Sequence, residues 1–478
     1  MNMRKTKIIC TLGPAVDHAE TIERLIRTGM NAARFNFSHG SHAEQLARLN
    51  MFKKVRDTLG APVATILDTK GPEIRIKTFA DGPVTLEQGQ GFILTTDDVP
   101  GDGRRVSVTY ANLHKEVGPG CRILVDDGLI ELRVQKVEGH EIHCEVENGG
   151  PLSSNKSINI PDVHILLPSL TDKDREDLKF AVDNDFDFIA ASFVRKASDV
   201  EDIRAELRKH GGDNIRIIAK IENREGVENL EGIIAASDGI MVARGDLGVE
   251  IPAHEVPILQ KKMIKATIRA GLPVITATQM LDSMIEHPRP TRAEITDVAN
   301  AIYDGTSAIM LSGETASGKY PIEALSTMVN TVTAAEEAID YWGRFRERSL
   351  LPVVSGISDA ITHSCCLTAM DLNASAILAA TRSGYTAKVI SRFRPACPIV
   401  ALCQNESTRR QLAISWGVHP YLSGEVDSTD RMFSLAVDVA RKENAVQIGD
   451  TVVITAGVPL GQSGTTNLIK AQIVEGGL

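Results

Sequence analysis

Short apolar runs alternate with helical patterns along most of this chain. Near its start, apolar runs at residues 7–11, 32–35 and 63–67 are separated by segments with helical periodicity. A short apolar run between amphipathic helices is typical of a strand buried in a parallel sheet, because helices cover both of its faces. The alternation therefore predicts a parallel α/β architecture.

The helical segments carry start and stop signals, and the alternation continues further along the chain. Asp17 is placed to cap a helix that ends at Gly29, and Ser41 with Glu44 has the spacing of a capping box for the next helix. Further strands are predicted at 188–192, 215–221, 240–243, 274–277 and 308–311. Together these segments make about eight βα units, the number that closes a TIM barrel. An open doubly wound sheet is the structural alternative.

Two segments depart from this barrel pattern. Residues 72–167 favour short strands closely punctuated by Gly, Pro and Asp, which is typical of a small β-rich lid domain. Residues 346–478 predict a separate C-terminal α/β domain with an open sheet, reached through a hinge at 342–348. The remaining segments, 1–71 and 168–345, are expected to form the (β/α)8 barrel. A lid would cover the carboxyl ends of the barrel strands, where barrel enzymes carry their active sites.

Composition narrows the class of protein. A chain of 478 residues, 43% apolar and 24% charged, is expected to form two or three globular domains. No apolar run is long enough to span a bilayer, and the first residues lack the apolar core of a signal peptide. Seven cysteines without metal-ligand spacing favour a reducing, cytoplasmic setting. The net charge of −10 argues against nucleic-acid binding and requires a local positive pocket for any anionic substrate.

Polar side chains follow most of the predicted barrel strands. Lys220 and Glu222 share one face of a strand end, because side chains alternate along a strand. Asp246 follows the next strand, and two carboxylates with an open side suit Mg²⁺, which keeps water and phosphate oxygens in its shell. Others at strand ends are Arg34, Asn36, Ser38, Asp68, Thr69, Arg244, Gly245, Thr278, Ser312 and Glu314. Taken singly, several of these are ordinary turn or solvated residues, but packing does not explain the set, which indicates metal-assisted chemistry on an anion.

These residues lie in motifs that strongly resemble those of pyruvate kinases. The matching motifs are R-F-N-F-S-H-G (34–40), D-T-K-G-P-E-I-R (68–75), K-I-E-N (220–223), M-V-A-R-G-D-L-G-V-E (241–250), I-T-A-T-Q-M-L (275–281) and P-R-P-T-R-A-E (288–294). They run in order across the barrel, and the predicted lid and C-terminal domain also fit. The resemblance implies transfer of the phosphoryl group of phosphoenolpyruvate to ADP, giving ATP and pyruvate, the last step of glycolysis.

The resemblance also implies roles for single residues at the reacting centre. Lys220 would stabilise charge on the transferring phosphoryl group and the enolate oxygen, and Arg34 would clamp the phosphate with its forked donors. The backbone N–H groups of Gly245 and Asp246 would bind the substrate carboxylate at the start of a helix. Thr278 would contact the substrate and help to deliver a proton to the enolate.

The implied cofactors are a divalent and a monovalent cation. Glu222 and Asp246 would hold Mg²⁺ or Mn²⁺, since oxygen ligands accept both ions. The residues implied as K⁺ ligands are Asn36, Ser38, Asp68 and Thr69. Family members that work without K⁺ tend to carry a lysine where this chain has Glu73, so we predict dependence on K⁺.

The implied nucleotide-binding residues are Arg75, Lys156 in the lid, and His39. After Lys156 the family usually has G-V-N-L-P-G, whereas this chain has S-I-N-I-P-D. Ser157 and Asp162 therefore replace glycines, which costs backbone freedom wherever a positive φ is required.

In the C-terminal domain, T-R-S-G-Y-T (381–386) matches the effector phosphate loop of the family. An activating sugar phosphate or nucleotide monophosphate would bind at Thr381, Ser383, Gly384 and Thr386, with residues 463–467 nearby. Without the resemblance this segment would be an ordinary capped βα turn. The resemblance further implies a homotetramer.

Two alternatives differ in class. A Mg²⁺-dependent carbon–carbon lyase acting through a pyruvate enolate would share the carboxylates and an arginine, but it would not need Lys220, Arg75 or a lid that faces a nucleotide. A non-catalytic protein that kept the fold would not need its site residues intact, and this chain has them.

Overall fold

The first part of the chain forms three parallel strands alternating with helices. The computed structural model describes residues 3–161, 163–349, 356–424, 426, 428–459 and 464–475. The elements are β1 (Lys7–Leu12), a 3-10 turn (Pro14–Val16), α1 (Ala19–Thr28), β2 (Ala32–Asn36), α2 (His42–Leu59) and β3 (Ala64–Asp68). The predicted capping box is confirmed, because the Ser41 hydroxyl and the Glu44 carboxylate each accept a hydrogen bond from the backbone N–H of the other residue. The predicted Asp17 cap is wrong: α1 begins after His18, and the Asp17 carboxylate instead pairs with Arg48 at 2.6 Å.

The segment predicted as a lid is rich in short strands. Its elements are β4 (Ile74–Arg75), β5 (Val84–Leu86), β6 (Gly91–Thr95), β7 (Arg105–Ser107), α3 (Leu113–Glu116), β8 (Arg122–Val125), β9 (Ile130–Glu138), β10 (Glu141–Asn148), β11 (Gly150–Leu152) and β12 (Ser157–Asn159). Seven of these strands form one sheet in the order β4-β12-β8-β9-β10-β6-β7. Its apolar side chains, including Phe92, Ile123 and Leu132, form a core separate from that of the barrel.

The strand–helix alternation resumes after this insertion. The elements are α4 (Asp172–Asp183), β13 (Phe188–Ala191), α5 (Ala197–Lys209), β14 (Arg216–Ile221), α6 (Arg224–Glu228), α7 (Leu230–Ala236), β15 (Gly239–Ala243), α8 (Arg244–Glu250), α9 (Val256–Arg269), β16 (Val274–Ala277), a 3-10 turn (Asp282–Ile285), α10 (Arg292–Asp304), β17 (Ala308–Leu311), α11 (Gly313–Ala316), α12 (Pro321–Glu337) and α13 (Tyr341–Ser349).

Eight parallel strands close into a barrel in the order β1-β17-β16-β15-β14-β13-β3-β2. The barrel prediction is confirmed, and the open doubly wound alternative is wrong. Buried side chains from different strands, such as Ile66, Ile218 and Ile275, fill the interior, as expected of a packed barrel core. Ile414, from the C-terminal part of the chain, belongs to the same buried cluster.

The C-terminal part forms an open five-stranded sheet covered by helices. Its elements are α14 (Ile357–Asp371), β18 (Ala376–Thr381), α15 (Tyr385–Ser391), β19 (Ile399–Cys403), α16 (Glu406–Leu412), β20 (Val418–Leu422), α17 (Thr429–Lys442), β21 (Thr451–Gly457) and β22 (Thr466–Ile473). The strand order is β20-β19-β18-β21-β22, and β22 alone runs antiparallel to its neighbour among the described strands. The open-sheet prediction is confirmed, whereas β22 was not predicted.

The segment predicted as a hinge, 342–348, lies within α13, and Phe345 on that helix packs into the core of the C-terminal sheet. The domain boundaries given above stay a prediction. All seven cysteines are free thiols. Within the described ranges, no helix has the length and apolarity that a membrane crossing requires.

Candidate active site

Closure of the barrel brings the ends of β2, β3 and β14 together around one carboxylate. Asp68 lies at the end of β3, and the Arg34 Nε donates to its Oδ2 at 2.6 Å. The Lys220 ammonium lies 3.1 Å from Asp68 Oδ1 and 2.9 Å from Glu222 Oε1. All four side chains are at most 11% exposed, so these ion pairs lie in a largely water-free site.

In this cluster, contacts between opposite charges outweigh the effect of burial on the pKa values of Asp68 and Lys220. Burial alone would raise the pKa of Asp68, but the Arg34 and Lys220 charges outweigh it and hold that pKa below its ordinary value. Burial likewise favours a low pKa for Lys220, yet Asp68 and Glu222 outweigh it and raise that pKa. Asp68 is therefore a carboxylate and Lys220 an ammonium in the folded protein.

The pKa of Glu222 is shifted in the opposite direction to that of Asp68. Burial raises the pKa of Glu222 to about 7, with Lys220 opposing the shift and the nearby Asp246 charge adding to it. The backbone N–H of Phe193, a residue with a positive φ of 54°, donates to Glu222 Oε2 at 2.5 Å. A buried carboxylate next to a second carboxylate is unfavourable unless a cation joins them, so these two residues fit a divalent metal ion.

Two carboxylates would fill only part of the coordination shell of a divalent metal ion, so other groups would have to complete it. The described residues contain no group of three or more His, Cys, Asp and Glu side chains arranged to hold a metal ion. A site with two carboxylates suits Mg²⁺ or Mn²⁺, which complete their shells with water and substrate oxygens. Asp246 thus lies near enough to Glu222 for its charge to raise the Glu222 pKa, and the metal site formed by these two residues stays a prediction.

On the next strand end, the Thr278 hydroxyl is fully engaged. Its Oγ1 accepts a hydrogen bond from the Gly245 N–H at 2.8 Å and donates to the Ala277 carbonyl at 2.7 Å. Thr278 has a φ of 68°, and the Arg244 guanidinium donates to its carbonyl at 2.7 Å. The Gly245 N–H that was predicted to bind the substrate carboxylate is thus occupied by Thr278, and a bound carboxylate would have to displace this hydroxyl.

The four residues predicted to bind K⁺ lie at the ends of β2 and β3 or directly after them. Asn36 and Asp68 are direct neighbours in the strand register, and Asn36 Oδ1 accepts from the Ser38 N–H at 3.1 Å. The Thr69 N–H donates to the Ala190 carbonyl at 3.0 Å, which fixes the peptide beside it. The set offers only oxygen donors, which fits K⁺, although both carboxylate oxygens of Asp68 already accept from Arg34 and Lys220.

Two hydroxyl residues in this cluster were missed from the sequence. Ser192, just after β13, lies with its Oγ 2.7 Å from the Lys220 Nζ and 2.7 Å from the Thr69 carbonyl oxygen. Thr11, on β1, accepts from the Arg34 Nη1 at 3.1 Å. Both lie at strand ends, so the rule that identified the other site residues would have found them if it had been applied to the ends of β1 and β13 as well.

Comparison with known proteins agrees with this geometry. A model of the pyruvate kinase barrel domain matches residues 3–325, and a model of the pyruvate kinase alpha/beta domain matches residues 359–472. The pyruvate kinase of Clostridium acetobutylicum is 50% identical over 474 residues, covering 99% of this chain and 100% of the relative. Those of Staphylococcus haemolyticus and Staphylococcus aureus are also 50% identical over 474 residues, covering 99% of this chain and 81% of each relative. This chain belongs to the pyruvate kinase family.

Membership of the pyruvate kinase family decides the class of reaction. The chain is a phosphotransferase of glycolysis whose substrates are phosphoenolpyruvate and ADP, and the family requires a divalent metal ion. The carbon–carbon lyase considered above is not favoured, since full-length relatives at 50% identity are pyruvate kinases.

A cleft of about 440 Å³ between the β-rich segment and the barrel contains two of the residues predicted to bind nucleotide. Its lining includes Glu73, Arg75, Lys156, Arg195 and Asp246. The Arg75 Nε donates to Glu73 at 2.7 Å, and the Lys156 ammonium pairs with Asp126 at 2.8 Å. Both basic side chains thus reach the cleft, each already bound to a carboxylate. His39 is exposed on the loop after β2 and does not line this cleft.

The departure of the lid loop from the usual pyruvate kinase pattern has a local explanation at one position. Ser157 does not adopt a positive φ, and its hydroxyl donates to Asp127 Oδ1 at 3.0 Å. Serine is therefore accommodated without the backbone freedom of glycine. Asp162 lies outside the described residues.

The predicted effector loop borders a second cavity, of about 290 Å³, in the C-terminal domain. Thr381, Ser383 and Thr386 line it, and Gly384 caps α15 with a φ of 81°. The Thr386 hydroxyl lies 2.8 Å from that of Thr466, so the loop contacts β22, which carries part of the segment 463–467 that was expected nearby. Of the segment 463–467, residue 463 lies outside the described residues.

Proposed function

We propose that this chain transfers the phosphoryl group of phosphoenolpyruvate to ADP through the cluster around Lys220, and then protonates the enolate to pyruvate. One observation carries the proposal: a buried ammonium lies between two carboxylates at barrel strand ends, beside Arg34. Preorganised positive groups in a site of low dielectric stabilise the charge that develops during phosphoryl transfer.

Arg34 and Lys220 bind the phosphoryl group in this proposal. Both donate to Asp68 in the structure, which holds them at the strand ends. A phosphate would take over these hydrogen bonds, since its oxygens suit the forked donors of an arginine and the charge of a lysine. Lys220 would then lie beside the phosphoryl group and the enolate oxygen.

The start of α8 binds the carboxylate of the substrate, and Thr278 helps to protonate its enolate. The N–H groups of Gly245 and Asp246 open α8 and bind the substrate carboxylate, and the Thr278 hydroxyl is released when they do. A Cβ at Gly245 would lie 3.3 Å from Thr278 Oγ1, so a side chain at this position would crowd the hydroxyl. The freed hydroxyl of Thr278 then helps to move a proton to the enolate through water.

The cofactors are Mg²⁺, which Mn²⁺ can replace, and K⁺. Glu222 and Asp246 hold the divalent ion, which supplies positive charge to the substrate and phosphoryl oxygens when it is bound. The residues that hold K⁺ are Asn36, Ser38, Asp68 and Thr69. Glu73 stands where an ammonium would otherwise replace K⁺, and it pairs with Arg75 in the structure, so activity depends on K⁺.

The nucleotide lies in the cleft under the lid. Arg75 and Lys156 exchange their carboxylate partners, Glu73 and Asp126, for the phosphates of ADP. His39 is the weaker candidate for a nucleotide contact, since it is exposed and lies outside the lining of the cleft.

Regulation is proposed for the second cavity. A sugar phosphate or nucleotide monophosphate binds at Thr381, Ser383, Gly384 and Thr386, and activates the enzyme through subunit contacts in a cytoplasmic homotetramer. The support is a cavity lined by hydroxyls at the start of α15, together with membership of the family.

The decisive experiment measures pyruvate formation from phosphoenolpyruvate, ADP and Mg²⁺, with K⁺ and again with a bulky inert cation. We expect turnover that collapses without K⁺ in the wild type, and that falls roughly 10²- to 10³-fold in Lys220→Gln even with K⁺. Lys179→Gln, an exposed lysine on α4, serves as the control. A folded wild type without turnover under every condition, with candidate effectors present, would contradict the proposal.

A further inference from the structure

The Ser192 hydroxyl joins the proposed catalytic lysine to the proposed cation site. Its Oγ lies 2.7 Å from the Lys220 Nζ, 2.7 Å from the Thr69 carbonyl oxygen and 3.3 Å from Asp68 Oδ1. Ser192 is 7% exposed, so water does not readily substitute for these contacts.

Donor counting fixes the direction of these hydrogen bonds. An ammonium only donates, so Lys220 donates to Ser192, and the single hydroxyl proton is left for another acceptor. The Thr69 carbonyl is nearer to Ser192 Oγ than Asp68 Oδ1 is, at 2.7 Å against 3.3 Å. A carbonyl oxygen has two lone pairs, so Thr69 keeps one for a second partner.

The backbone around Thr69 is also tied to Ser192. The Ser192 N–H donates to Thr69 Oγ1 at 3.2 Å, and a Cβ added at Gly71 would lie 2.8 Å from the Ser192 Cβ. The segment that carries Thr69 therefore contacts Ser192 through hydrogen bonds and through close packing.

We propose that Ser192 is a positioning residue that sets the separation between the Lys220 ammonium and a monovalent cation at the Thr69 carbonyl. The inference rests on the proposed function of Lys220 and Thr69. Two positive charges must lie near the same phosphoryl group without displacing each other, and one neutral hydroxyl between them fixes both. Without it, the ammonium has only Asp68 and Glu222 as partners and is drawn onto them.

The test compares Ser192→Ala and Ser192→Cys with the wild type and with Ser237→Ala. Ser237 is a matched control, since it is 8% exposed and its hydroxyl donates to a helix carbonyl on α7. Two quantities are measured: kcat at saturating substrates and the K⁺ concentration for half-maximal activation. A third readout is independent of turnover: the rise of the melting temperature on adding K⁺ in the presence of phosphoenolpyruvate.

For Ser192→Ala we expect kcat to fall roughly 10- to 100-fold, as for a lost hydrogen bond to a charged group, and the half-activating K⁺ concentration to rise about 3- to 10-fold. The K⁺-dependent rise in melting temperature shrinks accordingly. Ser192→Cys keeps the volume but hydrogen-bonds weakly, so it should behave like Ser192→Ala. Ser237→Ala should match the wild type in all three readouts.

The outcomes separate the inference from the proposed function. A wild type without turnover would overturn the proposed function and the inference with it. An active wild type with an unchanged K⁺ requirement in both Ser192 variants would overturn the inference alone. Wild-type behaviour of Ser192→Cys would assign the effect to packing and would also overturn it.

Discussion

The Gly245 N–H donates to the Thr278 hydroxyl at 2.8 Å, although both groups are proposed to contact the substrate. The Thr278 backbone has a φ of 68°, unusual for a β-branched residue, and the Arg244 guanidinium holds its carbonyl at 2.7 Å. In the structure, the proposed carboxylate site thus satisfies its own hydrogen bonds. In the proposed mechanism, substrate binding exchanges this internal contact for one to the carboxylate.

The first prediction concerns this exchange. In Thr278→Val the hydroxyl is lost while the size and branching of the side chain stay the same. We expect kcat to fall by about 10²-fold or more, as is typical when a positioned group in proton transfer is removed. The KM for phosphoenolpyruvate should change much less, because the Gly245 N–H is then free for the carboxylate. Steady-state kinetics with pyruvate detection measures both constants.

Thr278→Ser and Thr267→Val are the controls. The serine keeps the hydroxyl and should retain most of the activity. Thr267 lies buried on α9, where its hydroxyl donates to the Met263 carbonyl within the same helix. If Thr278→Val kept the kcat of the wild type, the proton-delivery role would be wrong.

The second prediction concerns the proton on Glu222. Burial raises its pKa to about 7, so at pH 6 the metal-free protein carries this proton and must release it when a divalent ion binds. Calorimetric titration with Mg²⁺ in buffers of different ionisation enthalpy measures that release. We expect most of one proton at pH 6 and little at pH 8. Glu231→Gln, an exposed residue of α7, should behave like the wild type, whereas Glu222→Gln should release none.

The same pKa fixes a trend in metal-free stability. The pKa of Glu222 is about 7 in the folded protein and 4.5 as an ordinary value, so between these two pH values the folded state binds the proton more tightly than the unfolded state. Glu222 therefore contributes stability at low pH, and this contribution is lost as the pH rises from about 4.5 to about 7. Glu222→Gln removes this dependence. Denaturant unfolding of both proteins across that pH window, compared as a difference, isolates the contribution. A flat difference would contradict the raised pKa.

Much of this architecture follows from local sequence. The strands 274–277 and 308–311 were predicted with the bounds that the structure has, because fully buried parallel strands are continuous apolar runs. β22 was missed, since its residues are mostly exposed or half-buried and it pairs with β21 alone. A sheet-edge strand is defined by its neighbour more than by its own composition.

In the candidate site too, some features follow from local sequence and others depend on distant parts of the chain. Position at a strand end identified Lys220, Glu222 and Asp68, because a barrel places such residues together whatever the loops do. Which of these side chains contact each other was not predictable, since the contact between Ser192 and Lys220 joins different strands and depends on barrel register. Asp17 illustrates the same limit at a helix start, where the more distant Arg48 competes for its carboxylate.

The third prediction concerns coupling between substrate and K⁺. Asp68 gives one oxygen to Arg34 at 2.6 Å and the other to Lys220 at 3.1 Å, so a phosphate that draws these cations away also frees Asp68 for K⁺. We expect K⁺ to tighten phosphoenolpyruvate binding, on the order of tenfold, and phosphoenolpyruvate to tighten K⁺ binding by the same factor. Calorimetry without ADP measures both affinities.

Tetramethylammonium replaces K⁺ in the control titrations, because its bulk prevents coordination by the same oxygens. Asp68→Asn should reduce the coupling, since an amide neither holds the two cations equally nor offers the charge that K⁺ requires. Equal phosphoenolpyruvate affinities with K⁺ and with tetramethylammonium would contradict the proposed exchange of partners at Asp68.

The last prediction concerns the effector cavity. Ser383→Asp places a carboxylate in the loop before α15, where it would repel a phosphate at the start of that helix. We expect activation by every sugar phosphate or nucleotide monophosphate that activates the wild type to disappear, measured as the shift in phosphoenolpyruvate concentration at half-maximal rate. Ser407→Asp is the matched control, because it puts the same charge near the start of α16, outside the cavity lining. Activation that survives in Ser383→Asp would move the effector away from this loop, and loss in both variants would assign the effect to charge on the domain as a whole.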